Sequence, residues 1–386
     1  MSLPNVFKKI ACLEDFEARA RSRLPQSLFD FAVVGVEANI TRAANRAAFD
    51  EIFLKPRTLK DVSNREIKKD LFGHTYDMPF GISPMGASAM FGFEADLAFA
   101  RAAKAANIPF CMSGSALIPM EKVAQANPEV WFQAYVEASR ESMEVLTNRV
   151  GNAGIKTLVV TVDVPVPGNR RTQLRKGFEY PIRPSARIAW DGLTHPRWLM
   201  GTFFRTLMTT GMPHIENYGA GRGIPMISTS APQRKHVRDA LDWDDMKWLR
   251  DKWKDRLLIK GVLAPEDAQR ANEIGLDGLI VSNHGGRQLD TALPSLKALP
   301  GIVAEKGNLT IILDSGIRRG TDVVKALGLG ADFVFAGRPF LYAASLGEEP
   351  GVAHAIEILA SEVDRTLALL GLTDFEDAAE RLVVGE

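Results

Sequence analysis

LLIKGVLAPEDAQRANEIGLDGLIVSNHG (257–285) contains two short apolar runs on either side of a stretch with helical length and composition. The runs LLIKGV (257–262) and GLIVSNHG (278–285) are rich in Leu, Ile and Val, and APEDAQRANEIG (264–275) lies between them. Near-continuous apolar strands that alternate with helices are typical of a parallel sheet covered on both faces. The stretch therefore predicts a strand–helix–strand unit.

The same alternation extends from about residue 80 to residue 337. Further helix candidates lie at 94–107, 139–154 and 320–330. Eight strands, each leading to a helix, favour a closed (β/α)8 TIM barrel over an open doubly wound sheet, which would also carry GxGxxG after its first strand. The six remaining strand candidates are PFGISPMG (79–86), PFCMSG (109–114), VWFQAYV (130–136), TLVVTVD (157–163), TIILDSGI (310–317) and DFVFAG (332–337).

Two segments lie outside this alternation, and we assign the whole chain, 1–386, to one domain. Residues 1–78 are predicted to form a helical block, 79–350 the barrel, and 351–386 C-terminal helices. Residues 170–240 are too long for a plain crossover between the fourth and fifth strands. They are therefore predicted to be an insertion, of a length that usually forms a lid, a binding loop or a disordered segment.

Composition excludes several functional classes. Lys plus Arg equals Asp plus Glu, at 47 each, so no basic field indicates a nucleic-acid partner. The only two cysteines, Cys12 and Cys111, belong to no CxxC or Cys/His cluster, so we expect no metal site and reduced thiols in the cytoplasm. No signal-peptide core or run of about 18 apolar residues is present.

Every predicted strand ends in polar or small residues. In barrels of this kind the active site lies at the carboxyl ends of the strands. One polar end would fit a loop anchor, but polar groups at all eight ends predict a functional site. In chain order the candidates are Met85 and Gly86; Ser113; Gln133 and Tyr135; Thr161 and Asp163; Lys260; Ser282 and His284; Asp314 and Gly316; and Gly337 and Arg338.

Glycine and arginine residues follow the last two predicted strands, in DSGIRRG (314–320) and AGRP (336–339). Glycine lets backbone N–H groups approach an anion, and Arg318 and Arg338 can bind it in a bidentate manner. TIM barrels frequently bind phosphate with the loops after strands seven and eight. The two motifs together predict a phosphate site.

SNHGGRQLD (282–290) combines an imidazole with a fixed positive charge. The unperturbed pKa of His284 is about 6.5, which suits proton transfer near neutral pH. Asp163 can stabilise the charged imidazole, and Arg287 is placed to hold a carboxylate. Lys260 has three interpretations: an ion-paired barrel lysine, a cation near a ligand that gains negative charge, or a Schiff-base lysine.

Four motifs resemble, in the right order, the FMN-dependent 2-hydroxy acid oxidase and dehydrogenase family. The resemblance covers nearly the whole chain and implies FMN as cofactor. It also implies oxidation of a small-molecule (S)-2-hydroxy acid to the 2-oxo acid. The motifs are TVDVPVPGNRR (161–171), IKGVLAPEDA (259–268), SNHGGRQLD (282–290) and LDSGIRRGTDVVKALGLGA (313–331).

The resemblance further implies a role for each candidate residue. His284 would be the base with Asp163 as its partner, while Tyr135 would hydrogen-bond the substrate. Arg170 and Arg287 would bind the substrate carboxylate. The flavin would be contacted by Lys260 at its N1/O2 edge and elsewhere by Met85, Gly86, Ser113, Gln133, Thr161 and Ser282. The ribityl and phosphate end would be bound by Asp314, Gly316, Arg318, Gly337 and Arg338.

Three positions depart from members of this family. Phe31, in LFDFAVV (28–34), replaces a tyrosine that usually contacts the substrate carboxylate, and Ser115 stands where glycolate oxidase has a bulky tryptophan. Both changes favour a substrate larger than glycolate. Gly86 replaces the alanine of several oxidases, as in mandelate dehydrogenase, which favours a dehydrogenase that passes electrons to a quinone or cytochrome.

The same motifs are also compatible with other functions. The chain is alternatively an oxygen-using oxidase that produces hydrogen peroxide, a flavin-binding isomerase or a non-catalytic FMN-binding scaffold. An isomerase would have no evident need for His284, Arg287 and Arg170 together. Intact acid–base and carboxylate-binding groups argue against a scaffold.

The insertion contains PRWLMGTFFRTLMTTGM (196–212), in which arginines accompany clustered aromatic and aliphatic residues. Such a segment can contact the inner face of a membrane peripherally. It can equally form a lid helix over the substrate or a patch buried between subunits. The resemblance implies a homotetramer, in which such a patch would be covered.

Overall fold

The computed structural model describes residues 7–178, 181–219, 221–228 and 238–385. Its central element is an eight-stranded parallel sheet, in the order β1-β8-β7-β6-β5-β4-β3-β2. A parallel bridge between Ile82 and Phe110 links β1 to the start of β2, so the sheet forms a nearly closed barrel. The predicted TIM barrel is thus confirmed. The strands are β1 Phe80–Ile82, β2 Cys111–Ser113, β3 Trp131–Ala134, β4 Thr157–Thr161, β5 Arg256–Val262, β6 Gly278–Val281, β7 Thr310–Asp314 and β8 Phe333–Ala336.

Large apolar side chains fill the barrel interior, and this packing determines where the polar candidates lie. Successive side chains of a strand point to opposite faces, so residues two apart share a face. Trp131, Leu258 and Ile280 belong to the buried interior cluster. Gln133, Lys260 and Ser282 each follow one of them by two positions. The polar residues therefore lie directly above the interior apolar layer, at the carboxyl ends of the strands.

Helices surround the barrel and precede it. The helices on the barrel's outer face are Ala95–Ala105, Met120–Ala126, Arg140–Asn152, Trp243–Lys252, Pro265–Glu273, Ser295–Ala304, Gly320–Gly328 and Arg338–Leu370. The last of these is interrupted at Gly347 and Glu348, where the backbone leaves the helical region. The helices before the barrel are α1 Leu13–Arg23, α2 Gln26–Val33 and α3 Ile40–Asp50.

The terminal segments, predicted to be helical, also contain short strands. Ile52–Leu54 pairs antiparallel with Leu382–Val384, and Lys69–Leu71 pairs with His74–Tyr76. The C-terminal segment also has a single 3-10 turn, Ala379–Arg381. A pairing between residues 52–54 and 382–384 depends on a partner more than 300 positions away, which local sequence patterns do not reveal.

The insertion between β4 and β5 is largely helical where it is described. It contains Arg171–Lys176, Ala186–Leu193 and a continuous helical segment built from Pro196–Trp198, a π-helical stretch Leu199–Phe204, and Arg205–Thr210. Residues 229–237 of the predicted insertion lie outside the described residues. Among the described residues, no helix combines the length and apolarity needed to cross a bilayer.

Candidate active site

A cavity of about 300 Å³ opens at the carboxyl ends of the barrel strands. Ser113, Asp163 and Ser282 stand behind its lining and hydrogen-bond to residues that line it. The structure thus brings the predicted residues to one place. Those that line the cavity are Met85, Gly86, Gln133, Tyr135, Thr161, Arg170, Lys260, His284, Arg287, Asp314, Gly316, Arg318, Gly337 and Arg338.

The imidazole of His284 is held between a carboxylate and a phenol. Its Nδ1 lies 3.1 Å from Asp163 Oδ1, and its Nε2 lies 3.4 Å from the Tyr135 hydroxyl. The backbone of His284 has φ +58°, and its N–H donates to Ser282 Oγ at 3.0 Å. The carboxylate contact fixes Nδ1 as the protonated nitrogen, so Nε2 presents a lone pair to the cavity.

Burial lowers the pKa of His284, and the attraction of Asp163 offsets only part of this effect. Burial alone would raise the pKa of Asp163, but the neighbouring His284 and Lys260 outweigh burial and lower it. At neutral pH the pair therefore consists of a neutral imidazole and an ionised carboxylate. This is the state that a general base requires.

Two arginines lie beside the imidazole. The Nη1 of Arg287 donates to the backbone carbonyls of Phe31 at 2.7 Å and Val34 at 3.1 Å, at the end of α2. Arg170 reaches back to the Arg287 carbonyl through Nε, at 3.4 Å. Burial and the nearby cations Arg170 and Arg338 lower the pKa of Arg287. Closely spaced, half-buried guanidinium groups favour an anionic ligand such as a carboxylate.

Lys260 forms a buried ion pair at the floor of the cavity. Its Nζ lies 2.8 Å from Asp314 Oδ2 and 2.8 Å from Ser282 Oγ. Burial favours the neutral amine, but Asp314 and Asp163 outweigh it and raise the pKa of Lys260. A Schiff-base lysine needs a neutral amine, so that interpretation does not fit. The two interpretations that keep Lys260 charged, an ion-paired barrel lysine and a cation near a ligand, both agree with this geometry.

Asp314 lies at the floor of the cavity, where its carboxylate contacts Lys260. Its predicted contact with the ribityl and phosphate end of the cofactor stays a prediction. Besides Lys260, its carboxylate accepts hydrogen bonds from Ser83 Oγ at 2.8 Å and Ser282 Oγ at 2.9 Å. These partners occupy both carboxylate oxygens. Asp314 is therefore a partner that keeps Lys260 charged.

Two buried polar atoms beside Lys260 lack a partner among the described residues. They are Gln133 Nε2 and Thr161 Oγ1, on the neighbouring strands β3 and β4. The Gln133 amide is oriented by Ser113, whose hydroxyl donates to its Oε1 at 3.1 Å. Buried polar groups in proteins are nearly always hydrogen-bonded, so these atoms indicate a bound ligand with polar edges.

The glycine–arginine loops after β7 and β8 form the other end of the cavity. Gly316 has φ +91°, and a Cβ there would lie 2.7 Å from the Asn45 carbonyl oxygen, so only glycine fits. Arg338 donates to the carbonyls of Ala32 and Gly285 at 2.8 and 2.9 Å. Burial and the neighbouring Arg318 lower the pKa of Arg338 to about 10. Clustered buried cations at the start of a helix favour a phosphate.

The sequence analysis missed several residues that line the cavity. Ser83 and Ser315 lie next to the carboxyl ends of β1 and β7. The two-residue alternation of side chains, continued past the end of each strand, could have identified them as lining residues. Ile215, Tyr218 and Met226 come from the insertion, whose irregular path gave no periodic signal. Phe31 and Ser115 both line the cavity, as the resemblance implied.

Comparison with known proteins identifies close relatives along almost the entire chain. A family model described as FMN-dependent dehydrogenase matches residues 20–384. L-lactate dehydrogenase from Ectopseudomonas mendocina (strain ymp) is 38% identical over 382 residues, covering 98% of this chain and 99% of the relative. (S)-mandelate dehydrogenase from Pseudomonas putida is 37% identical over 363 residues, covering 94% and 91%.

Solved structures also match this chain along almost its entire length. A structure of (S)-mandelate dehydrogenase described as a monotopic membrane protein superposes with a TM-score of 0.87 at 34% identity, covering 98% of this chain and 100% of that one. Mandelate oxidase with (S)-2-phenylpropionate superposes with a TM-score of 0.79 at 31% identity, covering 98% and 99%.

Proposed function

The chain belongs to the FMN-dependent dehydrogenase family, whose cofactor is FMN, and from this premise we propose that it oxidises a large (S)-2-hydroxy acid to the 2-oxo acid. Membership makes it an oxidoreductase acting on 2-hydroxy acids. We further propose a dehydrogenase that passes electrons to a quinone or cytochrome. The observation that carries the proposal is the His284 imidazole, hydrogen-bonded to Asp163, beside Arg170 and Arg287.

We propose that the residues around His284 bind and orient the substrate. Arg170 and Arg287 hold the carboxylate, which places the 2-hydroxyl group near Nε2 of His284. His284 removes the hydroxyl proton, and Asp163 stabilises the imidazolium that forms. Tyr135 donates a hydrogen bond that helps to fix the reacting oxygen. FMN, when bound, supplies the two-electron acceptor for this oxidation.

The cavity's polar groups fit FMN at both ends. Lys260, Gln133 and Thr161 would bind the polar edge of the flavin, because two of them carry buried atoms without a partner in the described residues. The glycine–arginine loops around Arg318 and Arg338 would bind the phosphate. The remaining lining on the flavin side would come from Met85, Gly86, Gly316 and Gly337, with Ser113 and Ser282 supporting it from behind.

We expect the purified yellow protein to bleach under anaerobic conditions when it is mixed with a suitable 2-hydroxy acid. (S)-Mandelate and (S)-2-hydroxyoctanoate should reduce it at least about tenfold faster than glycolate, because Phe31 offers no hydroxyl to a small substrate and Ser115 leaves space for a large side chain. Stopped-flow absorbance of the bound flavin measures these rates. The (R)-enantiomers are the matched controls. Absence of bleaching with every 2-hydroxy acid contradicts the proposed function.

We also propose a peripheral membrane contact through the insertion. Trp198 and Thr202 face the barrel, and the Trp198 indole N–H donates to the Met90 carbonyl at 2.7 Å. The opposite side is exposed: Met200 is 64% and Met208 is 87% accessible. The apolar surface, which we call the insertion patch, consists of Trp190, Leu193, Met200, Phe204 and Met208. The exposed arginines Arg187, Arg197 and Arg205 accompany it.

An exposed apolar surface flanked by arginines suits an anionic lipid interface. We expect wild-type protein to sediment with vesicles that contain phosphatidylglycerol, and the double variant Met200→Asp/Met208→Asp to bind them at least about tenfold more weakly. Leu369→Asp, an exposed leucine on the C-terminal helix, is the matched control. Equal sedimentation of wild type and the double variant would rule out this contact. The implied homotetramer stays a prediction.

A further inference from the structure

A pair of hydroxyl groups lines the cavity outside the groups assigned to proton transfer and carboxylate binding. Ser115 Oγ and the Tyr218 hydroxyl lie 2.5 Å apart, and both residues line the cavity. We propose that this pair is a recognition site for the substrate side chain. It accepts 2-hydroxy acids whose side chain is apolar along its length and ends in a hydrogen-bonding group such as a phenol. The inference rests on the proposed function and names its substrate class.

The pair retains hydrogen-bonding capacity after its internal bond is made. Two hydroxyl groups have two donors between them, and their mutual bond uses one. The backbone of Ser115 makes separate contacts: its N–H donates to Ser113 Oγ at 3.1 Å, and its carbonyl accepts from the Ala87 N–H at 3.0 Å. Within the described part of the chain, no further hydrogen bond to either hydroxyl is found. One donor and several lone pairs are therefore available to a ligand.

Apolar side chains share the cavity with this pair. Met90, Ile215 and Met226 line the cavity together with it. Tyr218 packs edge-on against Tyr135, with ring centroids 6.3 Å apart. A side chain that passes over these groups loses contact with water along its length, and its end reaches the partly exposed Tyr218, which is 42% accessible. A polar end gains a direct hydrogen-bond partner there. The hydroxyl pair supplies that partner.

The backbone on both sides of Tyr218 is firmly anchored, so its hydroxyl has a defined position. The buried Asn217 accepts from the Met120 N–H at 2.8 Å and donates to the Ile118 carbonyl at 2.9 Å. Arg149 donates to the carbonyls of Glu216 and Gly219 at 2.8 and 2.7 Å. A recognition site requires this kind of support, because a mobile hydroxyl discriminates poorly.

Arg238 lies over both aromatic rings of this part of the site, Tyr135 and Tyr218. Its guanidinium carbon lies 4.8 Å from the Tyr135 ring centroid and 5.5 Å from the Tyr218 centroid. One cation placed over both rings stabilises their relative orientation. Arg238 is absent from the cavity lining, so we assign it as a positioning residue that acts through Tyr218 and Tyr135.

The test compares two ligands that differ by one hydroxyl, (S)-mandelate and (S)-4-hydroxymandelate. Their oxidation is followed with an artificial acceptor, and binding of the matching 2-oxo acids is followed by the absorbance of bound flavin. Wild type should favour the hydroxylated ligand by about fivefold or more. The double variant Ser115→Ala/Tyr218→Phe should abolish this preference, because the ligand hydroxyl would then have no hydrogen-bond partner in the protein.

Arg238→Met should reduce the preference for the hydroxylated ligand at least about threefold, mainly through KM, while kcat for mandelate changes little. Arg238→Lys keeps the charge and should recover part of the preference. The control is Arg365→Met, an exposed arginine of the C-terminal helix, which should change neither the ligand preference nor kcat for mandelate. An effect of Arg238→Met on kcat alone would overturn the positioning role.

The outcomes separate this inference from the proposed function. Identical ligand preference in wild type and the Ser115→Ala/Tyr218→Phe variant overturns the recognition site, even if both ligands are oxidised. Selective binding of the hydroxylated 2-oxo acid without oxidation of either hydroxy acid supports the recognition site and overturns the proposed function.

Discussion

Replacing His284 with alanine is expected to slow anaerobic flavin reduction by about 10²–10⁴-fold or more while FMN stays bound. In the structure, the imidazole hydrogen-bonds to Asp163 and Tyr135 beside the two arginines, and among the described residues it makes no hydrogen bond to the glycine–arginine loops or to the floor groups that fit the cofactor. Removing it takes away the base without removing the groups that would hold FMN. Single-turnover stopped-flow absorbance measures the rate, and the flavin-to-protein absorbance ratio measures retention.

Two results would contradict this assignment of roles: loss of FMN from the His284→Ala protein, or flavin reduction at a rate within tenfold of wild type. Tyr135→Phe is a useful companion, since it removes only a hydrogen bond and should slow reduction far less.

The pH dependence provides an independent test of the same base. Burial lowers the pKa of His284 below its usual value of about 6.5. The neutral, active form therefore predominates above the lowered pKa, and activity falls as the pH decreases through it. We expect kcat/KM to be flat near neutral pH, with an acidic limb centred below about 6.5. A limb centred above pH 7 would be inconsistent with a buried imidazole base.

Lys260→Met is expected to destabilise the protein by about 3–5 kcal/mol, because it leaves the Asp314 carboxylate buried without its cation. Lys260 is only 4% accessible, and the two charged groups lie 2.8 Å apart. The variant should also bind FMN weakly, since the floor of the cavity would carry an uncompensated negative charge. The midpoint of chemical unfolding of the apoprotein measures stability separately from cofactor binding.

The double variant Lys260→Met/Asp314→Asn is the control for this prediction. It removes both charges, so most of the lost stability should return although the cation is still absent. FMN affinity should remain below that of wild type, because the positive charge at the flavin edge is missing. An unchanged unfolding midpoint in Lys260→Met alone would show that the ion pair does not stabilise the fold.

The barrel and the layer of polar residues above it could be predicted from sequence because both follow from a two-residue repeat. Trp131 and Gln133 illustrate the point: one fills the barrel interior, and the other reaches the cavity from the same face of β3. The glycine–arginine loops could be predicted as well, since Gly316 adopts a positive φ, +91°, that favours glycine. In each case, neighbouring residues in the chain determine the local geometry.

Contacts between distant segments could not be predicted in this way. Asp314 pairs with Lys260 from another strand, so its own motif, DSGIRRG, gave no sign of that partner. Tyr218 reaches Ser115 through an irregular insertion anchored by Asn217 and Arg149. Arg287 is oriented by carbonyls at the end of α2. Each of these depends on tertiary packing and has no periodic signature.

A crystal structure of the protein with FMN and a bound 2-oxo acid tests the central claim most directly. We expect the carboxylate to lie between the guanidinium groups of Arg170 and Arg287. His284 Nε2 should lie within hydrogen-bond distance, about 2.6–3.2 Å, of the oxygen that was the substrate hydroxyl. A ligand bound with its carboxylate away from both arginines, or an imidazole that points away from the ligand, would contradict the account.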